Sequence, residues 1–85
     1  MKAPQVAPNP AHTEATVNFH SEKDQKVIIE LLDLYGRVVM HKPVMAMEGR
    51  NAFTIDGLKR FGKGYYMIKL STSNQVHHLK IMIKE

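Results

Sequence analysis

The 85-residue sequence contains no cysteine. This absence excludes a disulfide framework, a thiolate metal site and a cysteine nucleophile. Long apolar runs are also missing: none approaches the ~20 residues that a membrane-spanning helix needs, and the N-terminus lacks the apolar core of a signal peptide. A chain this short forms one small domain and must use most of its apolar residues in packing.

Acidic residues are scarce in the last third of the sequence. From Lys59 onward, six basic side chains are accompanied by a single acid, Glu85, and the net charge of the whole chain is +4. A basic face of this kind favours an acidic partner such as nucleic acid, anionic lipid or an acidic receptor. The alternative is a solvated strand face on which lysines prevent edge pairing. The two interpretations carry equal weight.

Alternation of apolar and polar residues is the main pattern in the chain, and it predicts β-strands. The alternating segments cover residues 15 to 20, 25 to 34, 37 to 42, 51 to 55, 65 to 72 and 76 to 84. Turn residues separate them roughly every 8 to 12 positions, which is typical of a sandwich. We therefore expect an all-β domain, a small immunoglobulin-like antiparallel β-sandwich of about six or seven strands, with Leu58 filling its core.

The segment 25 to 34 is apolar on both faces, so a helix must be weighed against a strand. The β-branched cluster Val27 to Ile29 and the turn at Tyr35 and Gly36 favour a strand that enters a hairpin. Pro43 is expected to limit the returning strand because proline has no N–H to donate. The next four residues, Val44 to Met47, form either a loop or a short strand.

Residues 1 to 14 contain Pro4, Pro8 and Pro10 among small and polar neighbours. This composition predicts an extended linker and domain start rather than a helix or an inner strand. The folded domain is expected to occupy residues 15 to 85.

Five motifs occur in a particular order. They are a start at Pro8 to Pro10, a hairpin at Asp33 to Val39, a middle at Gly49 to Ile55 with Leu58, a strand at Gly64 to Ile68, and a lysine-bearing apolar strand at Lys80 to Lys84. In order, spacing and terminal placement the sequence resembles the C-terminal sorting domain of type IX secretion cargo, over roughly residues 7 to 85. It departs from that family at Lys59 to Lys63, which is longer and more basic than the usual connection.

The resemblance implies that residues 15 to 85 are a non-catalytic sorting signal. A fused N-terminal cargo would travel from the periplasm through the type IX outer-membrane translocon to the cell surface. A sortase-like peptidase would then cut in the linker and join the cargo to anionic lipopolysaccharide. By motif match, the residues expected to be recognised are Gly64, Tyr66, Lys80, Ile81, Ile83 and Lys84, and those expected to be structural are Pro8, Asn9, Pro10, Asp33 and Gly36.

The alternative is a small β-barrel that binds nucleic acid, or haem or a metal. Adjacent strand residues point to opposite faces, so His77 and His78 cannot chelate one ion from the same side. Tyr66 is expected to point inward, which leaves Tyr65 as a lone exposed ring where nucleic-acid stacking needs several. No serine or acid is placed for catalysis. The sequence thus does not favour binding of a cofactor, a metal or nucleic acid.

The outer face of the segment 25 to 34 is more apolar than a solvated face requires, because Ile28 and Leu32 flank Glu30. We expect this face to be covered either by Val44 to Met47 or by a second copy of the chain. The second option predicts a homodimer or strand exchange at high concentration.

Overall fold

A computed structural model describes residues 3–85 of the chain. Within this range the strands are β1 (Gln5–Ala7), β2 (Ala15–Ser21), β3 (Gln25–Leu32), β4 (Val38–Ala46), β5 (Gly49–Ile55), β6 (Gly64–Ser71) and β7 (Val76–Ile83), and a short 3-10 helix (Leu58–Phe61) lies between β5 and β6. Among these described residues no helix is long and apolar enough to cross a membrane.

The strands form two sheets in which every pairing between strands is antiparallel. One sheet has the order β1-β2-β5 and the other the order β4-β3-β6-β7. The sheets share one hydrophobic core, and the chain passes between them after β2, β4 and β5. The predicted all-β sandwich is therefore confirmed.

The core is built from the inward positions of both sheets, as period-2 alternation requires. In β3, Val27, Ile29 and Leu31 are fully buried, and Leu58 of the 3-10 helix is buried with them. The remaining buried apolar residues are Ala11, Ala15, Val17, Phe19, Ala46, Ile55, Ile68, Leu70, Ile81 and Ile83. The prediction that Leu58 fills the core is confirmed.

The strand β3 lies inside its sheet, between β4 and β6. Its inner side chains enter the core, while Ile28 and Leu32 on the outer face are half-buried. The segment 25 to 34 is thus a strand over Gln25–Leu32. The β-branched cluster Val27 to Ile29 and the turn that follows the strand distinguished it correctly from a helix.

The expectation that Pro43 limits the returning strand is wrong. The strand β4 continues through Pro43, which pairs with Ile28, and ends at Ala46. Proline is tolerated there because β4 is at the edge of the sheet, where a missing N–H costs least. Residues 44 to 46 therefore lie beside β3 in the same sheet and do not cover its outer face. The homodimer stays a prediction.

The proline-rich segment 1 to 14, whose first two residues lie outside the described range, contributes to both sheets and bends at residues 8–10 and 12–13. The strand β1 pairs with β2 through Val6 and Val17. Further on, Ala11 forms a parallel bridge with Ile83 of β7. The segment therefore runs from the edge of one sheet to the edge of the other.

Candidate functional site

Four of the six residues expected to be recognised are cross-strand neighbours in the β6–β7 hairpin. Gly64 lies opposite Ile83, and Tyr66 lies opposite Ile81. Ile81 and Ile83 are 0% and 2% exposed. A partner that contacts the folded domain cannot reach these two isoleucines, so any part they have is through holding β7 in the core.

Lys80 and Lys84, the other two residues, are exposed to solvent. Lys80 lies on the outer face of β7, because period 2 places it opposite to the buried Ile81. Its cross-strand neighbour is Met67 of β6, which is half-buried. The two ammonium groups are therefore available to an anionic partner, while the apolar face of the same strand is not.

Residues 9 to 11 hold the outer edge of β7. The Asn9 side chain donates from Nδ2 to the Lys80 carbonyl oxygen at 3.1 Å and accepts at Oδ1 from the Met82 N–H at 3.0 Å. Ala11 continues the contact: its N–H donates to the Met82 carbonyl, and its carbonyl accepts from the Lys84 N–H, both at 2.8 Å. The start motif is thus fastened to the strand that carries the lysines, which the sequence alone did not indicate.

The hairpin between β3 and β4 is organised by Asp33. Its Oδ1 accepts from the N–H groups of Tyr35 and Arg37 at 2.9 and 3.0 Å, and its Oδ2 accepts from Arg37 Nε at 2.7 Å. Gly36 occupies the turn with a φ of 79°, a conformation that glycine adopts without steric cost. An Asp at the start and a Gly inside the turn are what this geometry needs.

The same contacts govern the ionisation of Asp33. Partial loss of hydration raises the pKa of this carboxyl, but the hydrogen bonds from Arg37 and Tyr35 outweigh it, and the pKa lies below its ordinary value. The carboxylate is 14% exposed, whereas the Arg37 side chain is 74% exposed. The guanidinium is therefore anchored at Nε while its terminal nitrogens face solvent.

Tyr66 secures the loop that precedes β6. Its hydroxyl donates to the Phe61 carbonyl oxygen and lies 3.0 Å from the Gly62 carbonyl oxygen. The rings of Tyr66 and Phe61 pack at a tilt, with centroids 6.5 Å apart. As the sequence predicted, Tyr66 points toward the core and Tyr65 points outward, 51% exposed.

The basic insertion Lys59 to Lys63 forms the end of the 3-10 helix and the turn into β6. The Arg60 guanidinium carbon lies 4.6 Å from the centroid of the Phe61 ring. With Lys63 it borders a groove that also includes Arg37. The basicity of this segment is visible in the sequence, but its position beside the Asp33 hairpin is not.

The histidines do not converge. His77 and His78 lie opposite Leu70 and Lys69, on different faces of β7, and the ring of His41 contacts Glu30 at 2.9 Å. Within residues 3–85 no three side chains of the types that bind metals are grouped as ligands. This arrangement gives no support to the alternative of a metal or haem module.

The comparison with protein families agrees with the arrangement of motifs. The family described as "Secretion system C-terminal sorting domain" matches residues 5–84. The chain belongs to this family. The match begins at β1 and takes in every strand of the sorting domain, so the fastened start motif and the β6–β7 hairpin are both parts of the family unit.

A comparison with curated proteins finds none that matches the sorting domain. Among solved structures, a beta-glucosidase from Listeria innocua in complex with glucose aligns with a TM-score of 0.49 and 12% sequence identity. The alignment covers 96% of the sorting domain and 16% of the enzyme. The chain thus spans less than a fifth of that protein.

Proposed function

We propose that this sorting domain directs a fused N-terminal cargo from the periplasm through the type IX outer-membrane translocon to the cell surface. A sortase-like peptidase then removes the domain and anchors the cargo, and the domain itself catalyses nothing. The observation that carries the proposal is the family match over residues 5–84, since it covers the whole sandwich. The finer steps rest on the resemblance of the motifs to those of type IX cargo.

Lys80 of β7 and Lys84, which directly follows that strand, are the residues that we expect the translocon to contact. Lys80 and Lys84 are exposed, whereas Ile81 and Ile83 are buried in the core. A receptor for the folded domain therefore contacts the two ammonium groups. The two isoleucines act indirectly, by holding β7 in the core. An acidic surface on the translocon would complement this edge.

The position of the start motif supports the same proposal. Cargo would join the domain ahead of β1, and Asn9 and Ala11, which follow β1, tie the start motif to the backbone of Lys80, Met82 and Lys84. The start motif and the exposed lysines therefore lie side by side. A translocon that holds the lysines would thereby hold the segment in which we expect the peptidase to cut.

The test is export of a reporter fused ahead of the domain. Lys80→Gln with Lys84→Gln keeps the apolar face, so stability should stay within about 0.5 kcal/mol, and we expect poor surface delivery with the reporter retained in the periplasm. The matched control is Lys26→Gln with Lys59→Gln, which removes two exposed charges elsewhere and should be exported normally.

Deletion of residues 80 to 85 is a second comparison. It also strips Ile81 and Ile83 from the core, at about 2 to 5 kcal/mol for each lost side chain, which unfolds a domain of this size. If the double glutamine variant is exported normally while the deletion fails, the folded hairpin carries the signal and the charges do not.

A further inference from the structure

The strand β6 starts three residues before its neighbour β3 can pair with it. Pairing of β6 with β7 extends to Gly64, opposite Ile83, whereas pairing with β3 ends at Met67, opposite Leu32. Beyond Leu32 the chain leaves the sheet and enters the Asp33 hairpin. Within residues 3–85 no strand pairs with Gly64 to Tyr66 on the side that faces away from β7. A short length of strand edge is therefore open.

This open edge is the floor of a groove at one end of the sandwich. One wall is the β3–β4 hairpin, with Tyr35 and Arg37, and the other is the end of the 3-10 helix and the turn after it, with Arg60 and Lys63. We call the surface formed by these four side chains and Gly64 to Tyr66 the strand-end groove. Tyr35 is 84% exposed, so its ring is open to a partner.

The groove carries a surplus of positive charge. Three of its lining residues, Arg37, Arg60 and Lys63, are basic and exposed, and Asp33 is the one acid among the lining residues. That acid is already bound by Arg37 Nε at 2.7 Å. An entering carboxylate would meet cations rather than a competing anion.

Aromatic rings hold two of these cations over the groove. The guanidinium carbon of Arg37 lies 5.5 Å from the centroid of the Tyr35 ring, and that of Arg60 lies 4.6 Å from the Phe61 centroid. Stacking of this kind restrains a long side chain and leaves its N–H groups at the rim free to donate. Two of the cationic groups are thus positioned before any partner arrives.

We propose that the strand-end groove binds an extended acidic peptide segment of a partner protein. The peptide backbone adds to the open edge at Gly64 to Tyr66, as strands add to exposed sheet edges elsewhere. Every second side chain then faces the walls, where carboxylates pair with Arg37, Arg60 and Lys63. The open backbone edge favours a peptide over a nucleic acid, which has no N–H and C=O ladder to match it.

The proposal does not depend on any step of export, since it concerns the purified 85-residue domain and a surface that excludes Lys80 and Lys84. Loss of peptide binding and loss of surface delivery are separate measurements. A domain that is exported but binds no acidic peptide overturns this proposal alone.

The probe is a fluorescently labelled ten-residue peptide that alternates glutamate and valine, with a lysine-and-valine peptide as its counterpart. We expect saturable binding of the acidic peptide by anisotropy, weakening with salt, and amide shift changes centred on Gly64 to Tyr66. The lysine peptide should not bind. Lys63→Gln, and Lys63→Gln with Arg60→Gln, should weaken binding by up to about fivefold for each lost charge.

The matched control is Lys59→Gln with Lys26→Gln, two exposed lysines outside the groove, which should bind as the unaltered domain does. Circular dichroism checks that each variant is folded. If Arg60→Gln disturbs the Phe61 packing, the single variant Lys63→Gln is compared with the control instead. The proposal is overturned by absence of binding, by equal losses in the control, or by shift changes centred on the β7 edge. Binding to anionic phospholipid vesicles that outcompetes the peptide would also overturn it.

Discussion

Asn9 is a small polar residue that, together with Ala11, attaches the start motif to the edge of β7. Substitution Asn9→Ala removes the bond from Nδ2 to the Lys80 carbonyl and the bond from the Met82 N–H to Oδ1. A net loss of about 0.5 to 1.5 kcal/mol per bond is typical. Water can reach the freed groups at this exposed edge, so the sum should be about 1 to 2 kcal/mol, with Tm lowered by roughly 4 to 16 °C for a domain of this size.

Urea unfolding and amide hydrogen exchange test this prediction together. The urea concentration at the midpoint of unfolding should fall. The dependence of the unfolding free energy on urea concentration should stay constant, because the folded core is unchanged. Exchange at the Met82 amide should quicken more than exchange at amides inside β3. Asn18→Ala is the control, since Asn18 is exposed on β2 and its loss should change stability by no more than about 0.5 kcal/mol. Equal midpoints for the two variants, with Met82 still protected, would refute the reasoning.

Three further predictions follow from the hairpins and the outer sheet face. Because hydrogen bonds from Arg37 and Tyr35 lower the pKa of Asp33, the stability that its carboxylate contributes is present above the unfolded-state pKa and is lost as pH falls through the folded-state pKa. In Asp33→Asn the urea midpoint should therefore fall less steeply at acidic pH than in the unaltered domain, and an equally steep fall would contradict this. Tyr66→Phe should lower the unfolding free energy by about 0.5 to 1.5 kcal/mol in thermal melts, whereas Tyr65→Phe should leave it unaltered, and equal effects would argue against the hydroxyl contact. Light scattering at millimolar concentration should show dimers that Ile28→Lys abolishes, and a monomer at that concentration rules them out.

The inner faces of the sheets were predictable because side-chain alternation is a local property of a strand. Val27, Ile29 and Leu31 are buried as their spacing requires, and Lys80 is outside because Ile81 is inside. The extent of β4 was not predictable in this way. Whether Pro43 ends a strand depends on whether that strand is at an edge, and the order of strands in a sheet is not a local property.

The functional surfaces show the same division. Periodicity gave the exposure of Lys80, but the contact from Asn9 spans 73 residues of sequence to Met82, and nothing near Asn9 indicates its partner. The strand-end groove likewise depends on β3 leaving the sheet at Leu32 while β6 continues to Gly64. Such a mismatch between neighbouring strands arises only when the sheet is assembled.

The most direct test of the sorting function is transfer of the domain to a protein that is not otherwise exported past the periplasm. A reporter with its own signal peptide is fused ahead of residues 1 to 85 and expressed in a bacterium with type IX secretion and in a matched strain lacking the translocon. We predict reporter on intact cells of the first strain, shortened by about the 9.7 kDa mass of the domain, and periplasmic reporter in the second. Retention in the periplasm of both strains, or equal surface delivery in both, would contradict the account.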